Sequence, residues 1–561
     1  MISNRTVTIV LALCIITYLL GMVMIPLMDI DASQYASISR EMLVNKSYLQ
    51  VFDLGADYLD KPPMLFWLSA LSMKIFGVHD WAYRLPSFFF ALLAVCATYR
   101  LALLFYKKEI AQLSAMVLAA SQALFLITHD VRCDTMLMGW VALSLWQMAA
   151  WYQTNKWKHF LLGFIAVACG MMTKGPIALM VPAFAFVPHF ILRREWKQLF
   201  RWEYILGVLV IAIMLIPMSI GLYEQFDQHP GKLINGVPIQ SGLRFYYWTQ
   251  SFGRYTGENH FNEMNYFTFL LENMLWSFLP WIIFFLIGLA FSAKDLISKK
   301  FRLANNEEWI TTGGFIVTYC ILARSQAQLP HYIFVVFPLA AIVTAKFLYR
   351  LLFTEELIKW KKPLFVFHAI VFTLLWLAAI ILMAWPFDAP KFVPVITCLC
   401  FAFYLAILFN FPISQFQNSK TPTLLTLSFF TVIGVNIFMN TAFYPNVLKY
   451  QLGNDAAKFI SDNHINKDKI SLYGIGEGRA LHFYAQHIFP RRESVQDFQS
   501  SDLVLTAKDS IPVFAQTFPG LKVIHEGNHF GVTALSLPFL NPATREKELP
   551  KYVIIDLGTK R

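Results

Sequence analysis

A chain of 561 residues of which 57% are hydrophobic, 16% aromatic and only 14% charged holds more apolar side chain than a water-soluble domain can bury, so water is not its main solvent. The net charge of +11 invites a nucleic-acid partner. Lys and Arg sit instead in short clusters between apolar runs, which is how the cytoplasmic face of a membrane protein is marked, and nucleic acid is excluded on that ground.

The first apolar run, Val7 to Met28, reads as a retained span rather than a signal peptide, because it is long enough to cross a bilayer and no small-residue cleavage site follows. Further spans are expected near 83–106, 109–128, 134–153, 158–173, 175–193, 203–222, 268–292, 309–324, 331–350, 363–385, 391–411 and 422–440, about thirteen in all. With the N-terminus inside, alternation sends Lys107-Lys108, Lys156/Lys158, Arg193-Arg194/Lys197/Arg201, Lys294/Lys299/Lys300/Arg302 and Lys359/Lys361/Lys362 to the cytoplasm. The outward set is then 29–82, the turn at 129–133, the Lys174 turn, 223–267, the turn from Arg324 to Pro330, and everything after about 441.

The apolar runs stop near 440, so a helical membrane domain over 1–444 is expected to precede a soluble α/β domain over 445–561. In the latter, Asn454 to Asn463 has helical periodicity, and strands are expected at Lys469-Ile-Ser-Leu-Tyr-Gly, Asp502-Leu-Val-Leu-Thr-Ala, Leu521-Lys-Val-Ile-His and Val532-Thr-Ala-Leu-Ser-Leu. Gly474-Ile-Gly-Glu-Gly lacks the spacing of a nucleotide fingerprint. The region after 440 has no cysteine and must hold together by its core; it is expected to cover or brace the outward face. The seven cysteines elsewhere have no zinc-site spacing and read mostly as packing groups.

The outward set holds polar residues that are costly near a bilayer. Asp29 and Asp31 follow the first span, where either would serve as a helix cap. Lys61, in Asp60-Lys-Pro-Pro, is either a cation positioned by proline or an interfacial lysine with its amine in the headgroups. Tyr35 is a phosphate donor or an aromatic-belt residue. Asp134, beside Arg132 and Asp130, needs a partner such as Lys61 or Arg132, and Lys174 lies in a turn between short apolar runs. Arg254-Tyr-Thr-Gly-Glu-Asn-His260 places Arg and His beside Trp248 and Tyr255, a mixture that suits sugar and phosphate recognition.

The tract Asp31-Ala-Ser-Gln-Tyr-Ala followed by Asp60-Lys-Pro-Pro-Met-Leu-Phe-Trp67, with Asp134, Met172-Thr-Lys-Gly-Pro and Gln328-Leu-Pro-His-Tyr332, resembles the bacterial aminoarabinose transferases and related protein mannosyltransferases. These are GT-C glycosyltransferases. The resemblance implies a polytopic helical fold and transfer of a sugar from a polyprenyl-phosphate donor, such as undecaprenyl phosphate, to lipid A, protein or another cell-surface glycan at the periplasmic side of the bacterial inner membrane. The family's essential loop aspartate matches Asp31, although Ala32 replaces its acidic neighbour. Asp31 then serves as base, Asp134 as the residue that orients the phosphate-binding lysine, and Lys61, Tyr35 and Arg254 as phosphate contacts, with Lys174 a further candidate. Relatives that hold a metal would place it, a divalent ion such as zinc, on Asp60 and His260; the reaction requires no cofactor. A lipid transporter or flippase is the rival class, but internal repeats and paired broken helices near midplane are not evident.

Overall fold

The computed structural model describes residues 2–256, 258, 266–387, 389–410, 423–476, 478–531 and 535–558, with the side chains of Arg254 and Tyr255 outside the description. Helix dominates, because in an apolar solvent a chain rich in Leu, Ile, Phe and Ala must satisfy its backbone from within. Among the described residues, seven helices are long and apolar enough to cross a membrane: Asn4–Met24, Asp80–Phe105, Trp196–Asp227, Pro330–Phe353, Ile358–Ala384, Phe392–Asn410 and Thr423–Tyr450. The chain is a polytopic helical membrane protein.

Other apolar helices fill the bundle. Asp80–Phe105 packs on Cys133–Thr154, which packs on Trp157–Lys174. Gly139 makes the first of these contacts close, since a Cβ there would lie 2.8 Å from the Phe90 carbonyl oxygen. Two expected spans are broken. The 109–128 run divides into Lys108–Ala119 and Gln122–Ile127, and 268–292 into Phe269–Ser277 and Ile282–Ser298, where Pro280 cannot supply an N–H. The first outward segment holds an apolar helix, Met64–Phe76, besides the expected amphipathic one at Asp31–Asn45.

The loops sort into two ends. At one, Asn4 bonds Gln112 at 2.9 Å, Lys107 lies over the Tyr349 ring, Lys346 faces Glu308 at 3.7 Å and Arg350 faces Asp295 at 3.6 Å, so the loops that carry Lys107 and Lys294 share a face with the N-terminus of the first helix. At the other, the 29–82 segment meets the 129–133 turn, the 223–250 segment and the tail. Arg84 ties this end together. Completely buried, its guanidinium donates to the carbonyls of Met22 and Pro26 at 2.9 Å and Ile25 at 2.5 Å, and to that of His129 at 2.9 Å.

The tail folds around a four-stranded sheet ordered Ile470–Tyr473, Leu503–Ala507, Lys551–Asp556, Lys522–Asn528, with the first pair parallel and the others antiparallel. Alternation in Tyr-Val-Ile-Ile sends Ile554 to a core with Leu452, Ala456 and Ile460, and Val553 and Ile555 to a second core with Phe514 and Phe518. The expected helix forms as Leu452–Asp462, and three of the expected strands form. Of the fourth, Val532–Ala534 lie outside the described residues, and Leu537 at its end opens a short helix with Pro538 in its first turn. The Lys551–Asp556 strand takes the central place instead.

Candidate active site

Lys174, Asp134, Lys61 and Tyr332 come from distant parts of the chain, and each is set by a local device. Lys174 ends the Trp157–Lys174 helix, where Gly175 takes φ +98, a conformation that needs glycine, and Pro176 follows to start the next helix. Asp134 sits in the first turn of Cys133–Thr154, so the carboxylate faces the positive end of one helix and the ammonium the negative end of the other. Pro62 and Pro63 pin Lys61 just before the Met64–Phe76 helix. Pro330 opens a 3-10 turn that presents His331 and Tyr332.

The partner of Asp134 is Lys174, at 2.5 Å, and not Lys61 or Arg132. The other carboxylate oxygen faces His331 Nε2 at 3.6 Å, while the Lys174 ammonium lies 3.9 Å from the Tyr332 ring centroid. Asp134 is 2% exposed, so this pairing replaces its hydration. Lys61 is within electrostatic reach of both Asp134 and His331. Asp60, Lys61, Asp134, Lys174, Gln250 and Tyr332 line a partly open cavity of about 100 Å³ backed by Leu137, Ile177, Met180, Leu322 and Val335. Gln250 donates to the Asp60 carbonyl, which ties the 223–250 stretch to the first loop.

Asp31 stands beside this cavity rather than in its wall. It opens the Asp31–Asn45 helix and forms an ion pair with Arg132, whose Nη2 also holds Asp130 at 3.1 Å. Burial works against the charge on Arg132, but Asp130 and Asp31 more than offset it, so its pKa is raised. Cys133 has Lys61 and Asp31 both within electrostatic reach. Tyr35 is buried near Asp31 and Arg132, and burial pushes its phenol well above the ordinary range, as it does that of Tyr58, so both remain hydrogen-bond donors.

Arg254 lies in the Gly253–Thr256 turn of helix, with its side chain outside the description, and His260 is outside the described residues. The proposed metal pair of Asp60 and His260 is therefore not described as a pair. Among the described residues no three His, Cys, Asp or Glu side chains group as metal ligands. The sequence reading missed His331 and Arg84. His331 stood inside the quoted Leu-Pro-His-Tyr motif, and Arg84 is an arginine near the start of an apolar run, the signal that would have flagged it.

The sequence model of the dolichyl-phosphate-mannose-protein mannosyltransferase family matches residues 60–220, a stretch holding Lys61, Asp134 and Lys174. The undecaprenyl phosphate-alpha-4-amino-4-deoxy-L-arabinose arabinosyl transferase of Pseudomonas paraeruginosa is 26% identical over 57% of this chain and 56% of its own length. Its namesake "transferase 2" of Proteus mirabilis is 25% identical over 62% of this chain and 61% of its own. The chain thus spans little more than half the length of the curated relatives it matches. The crystal structure of ArnT from Cupriavidus metallidurans bound to undecaprenyl phosphate aligns with a TM-score of 0.75 over 99% of this chain and 98% of that one, at 18% identity. The apo oligosaccharyltransferase of Archaeoglobus fulgidus gives 0.51 over 87% of this chain and 65% of that one, at 11% identity. At such identities the likeness establishes the fold: this is a polytopic helical membrane protein with the fold of the Cupriavidus metallidurans ArnT structure, similar in sequence to the bacterial aminoarabinose transferases.

Proposed function

We propose that the protein is a glycosyltransferase that moves a sugar from an undecaprenyl-phosphate type of donor to a hydroxyl or phosphate on lipid A, at the periplasmic face of the bacterial inner membrane. Residues 1–444 form the catalytic membrane domain, with the N-terminus cytoplasmic, and 445–561 an outward domain. The observation that carries this reading is the gathering of Lys61, Lys174, Asp134 and Tyr332 around one cavity with an apolar back wall, with Asp31 paired to Arg132, two residues before Asp134 in the chain. A polyprenyl phosphate needs cations for its head and greasy surface for its tail, and the cavity offers both. The relatives named for undecaprenyl phosphate-linked aminoarabinose transfer support the same chemistry, and the loops that carry Lys107 and Lys294 at the opposite end support the orientation.

The donor already carries a good leaving group. A hydroxyl acceptor loses its proton to the Asp31 carboxylate as its oxygen bonds to the anomeric carbon. The bond between that carbon and the phosphate oxygen breaks, and the electron pair leaves on the polyprenyl phosphate, whose charge Lys61 and Lys174 meet, with Tyr35 and Arg254 as further donors. Asp134 holds Lys174 in place for this task. None of these steps calls for a nucleotide or a metal.

The test is mass spectrometry of envelope lipids and proteins from cells with and without the gene, followed by turnover of the purified chain with undecaprenyl-phosphate sugars. A sugar-bearing lipid A species that disappears with the gene is expected. An unchanged envelope and no turnover of any polyprenyl-phosphate sugar would reject the reading, and a missing glycoprotein in place of lipid A would move the acceptor to protein.

A further inference from the structure

Among the described residues the tail contributes no side chain to the cavity wall, yet it grips the chain on both sides of Asp31. Ahead of it, the Gln451 side chain acts as a short strand partner: its Nε2 donates to the Leu27 carbonyl at 2.9 Å and its Oε1 accepts from the Asp29 N–H at 3.0 Å. The Tyr484 hydroxyl accepts from the Leu27 N–H at 2.8 Å. Asp29, which invites reading as a cap for its own helix, accepts instead from the Ala480 N–H of the tail at 3.1 Å and from the Ser33 hydroxyl at 2.5 Å. Behind Asp31, Ser37 donates to the Arg479 carbonyl at 3.1 Å. The Arg479 guanidinium holds Asp53 at 2.8 Å, and Asp53 in turn accepts from Gln34 at 2.7 Å.

We propose that the tail is the positioning element for Asp31, with Gln451 and Arg479 as its positioning residues. This rests on Asp31 being the base of the reaction above. Asp31 is suspended between two bodies: the chain on either side of it, at Leu27, Asp29 and Ser37, is held by the tail, and its carboxylate by Arg132 of the bundle. Of the two phosphate-binding lysines, Lys174 ends a bundle helix and Lys61 is pinned by Pro62 and Pro63 ahead of the Met64–Phe76 helix. The distance from base to leaving group is therefore set by how the tail is docked, and a misplacement of about 1 Å costs on the order of a hundredfold in rate. Gln451 is 1% exposed and spends both ends of its amide on two backbone groups within three residues of chain, a use that fixes register rather than adding bulk to a core.

The experiment uses the full chain carrying Gln451→Leu, Arg479→Met or Arg479→Lys, each normalised to folded protein by size-exclusion chromatography. In the first two, kcat should fall about tenfold to a hundredfold while the KM for the undecaprenyl-phosphate sugar stays within about twofold, because the lysine cavity is untouched. Arg479→Lys, which keeps a cation for Asp53, should recover most of the rate. Hydrogen exchange at the amides of residues 27–37 should quicken in the first two variants and not in the third, a readout independent of turnover. Unaltered exchange at 27–37 in Gln451→Leu and Arg479→Met overturns the clamp even for a chain that transfers no sugar. Faster exchange with unchanged kcat, or a donor KM that rises with the fall in kcat, overturns its catalytic role.

Discussion

Replacing Lys174 by Met strips the buried Asp134 of its ammonium at 2.5 Å while keeping the bulk of the side chain. Breaking one side of a buried ion pair costs about 3–5 kcal/mol, since the remaining charge has neither water nor partner. Two features pull the expectation to the low end: His331 Nε2 stands 3.6 Å from the other oxygen, and Lys61 is within electrostatic reach. A loss of about 3 kcal/mol is expected, near two powers of ten in the folded-to-unfolded ratio. Asp134→Leu together with Lys174→Met removes both charges and should recover most of this, leaving about 1 kcal/mol for the lost contact with the Tyr332 ring. Equilibrium unfolding in mixed micelles, followed by tryptophan fluorescence for both single variants and the double, closes the cycle and gives the coupling. A Lys174→Met protein within about 1 kcal/mol of the parent, or a double variant no more stable than Lys174→Met alone, would refute the reasoning and hand Asp134 to His331 or Lys61.

Asp29 and Asp31 should respond oppositely to the same change. Asp31→Asn is expected to abolish turnover with folding intact, because it removes the proton acceptor, whereas Asp29→Asn keeps the oxygen that Ala480 and Ser33 need and should remain active. Burial pushes the Asp29 carboxyl above its usual range against the pull of those hydrogen bonds, so its contribution to stability is present at low pH and lost as pH rises through the folded-state value. Asp29→Asn should accordingly flatten the pH dependence of the melting temperature above the carboxylate range, and a steeper dependence would count against it. Lys61→Ala should raise the donor KM at least tenfold by removing a cation from the cavity, and unchanged donor kinetics would take the phosphate away from it. Arg84→Met leaves four carbonyls at the base of the first loop without their donor, and a loss of about 3 kcal/mol or more should show in the same unfolding assay.

The spans were legible because membrane solvent imposes a coarse rule that composition obeys residue by residue, and the breaks were not, because Ser121 and Pro280 interrupt runs without lowering their hydropathy much. Local devices could be read in part: Lys-Pro-Pro at 61–63 favours a positioned cation over an interfacial one, while Lys174 reads equally as a plain turn lysine. Pairings could not. Asp134 has Arg132 two residues away, yet its partner is Lys174, forty residues on, because helix packing and not proximity in the chain decides which charges face each other. Asp29 misleads in the same way, since a carboxylate before a helix suggests a cap for that helix while this one serves the tail. The Lys551–Asp556 strand lay in an evident Tyr-Val-Ile-Ile run, and its central position in the sheet follows from two-sided burial that no single strand pattern reveals.

The Gln451 amide is complementary to the backbone of residues 27 and 29, and Arg479 to a side chain at 53, so this part of the joint between tail and bundle is written in two stretches of sequence more than four hundred residues apart. Chimaeras that graft the tail of one homologue onto the bundle of another should therefore assemble only when the segment from Leu27 to Asp53 is exchanged along with it, as a matched cassette.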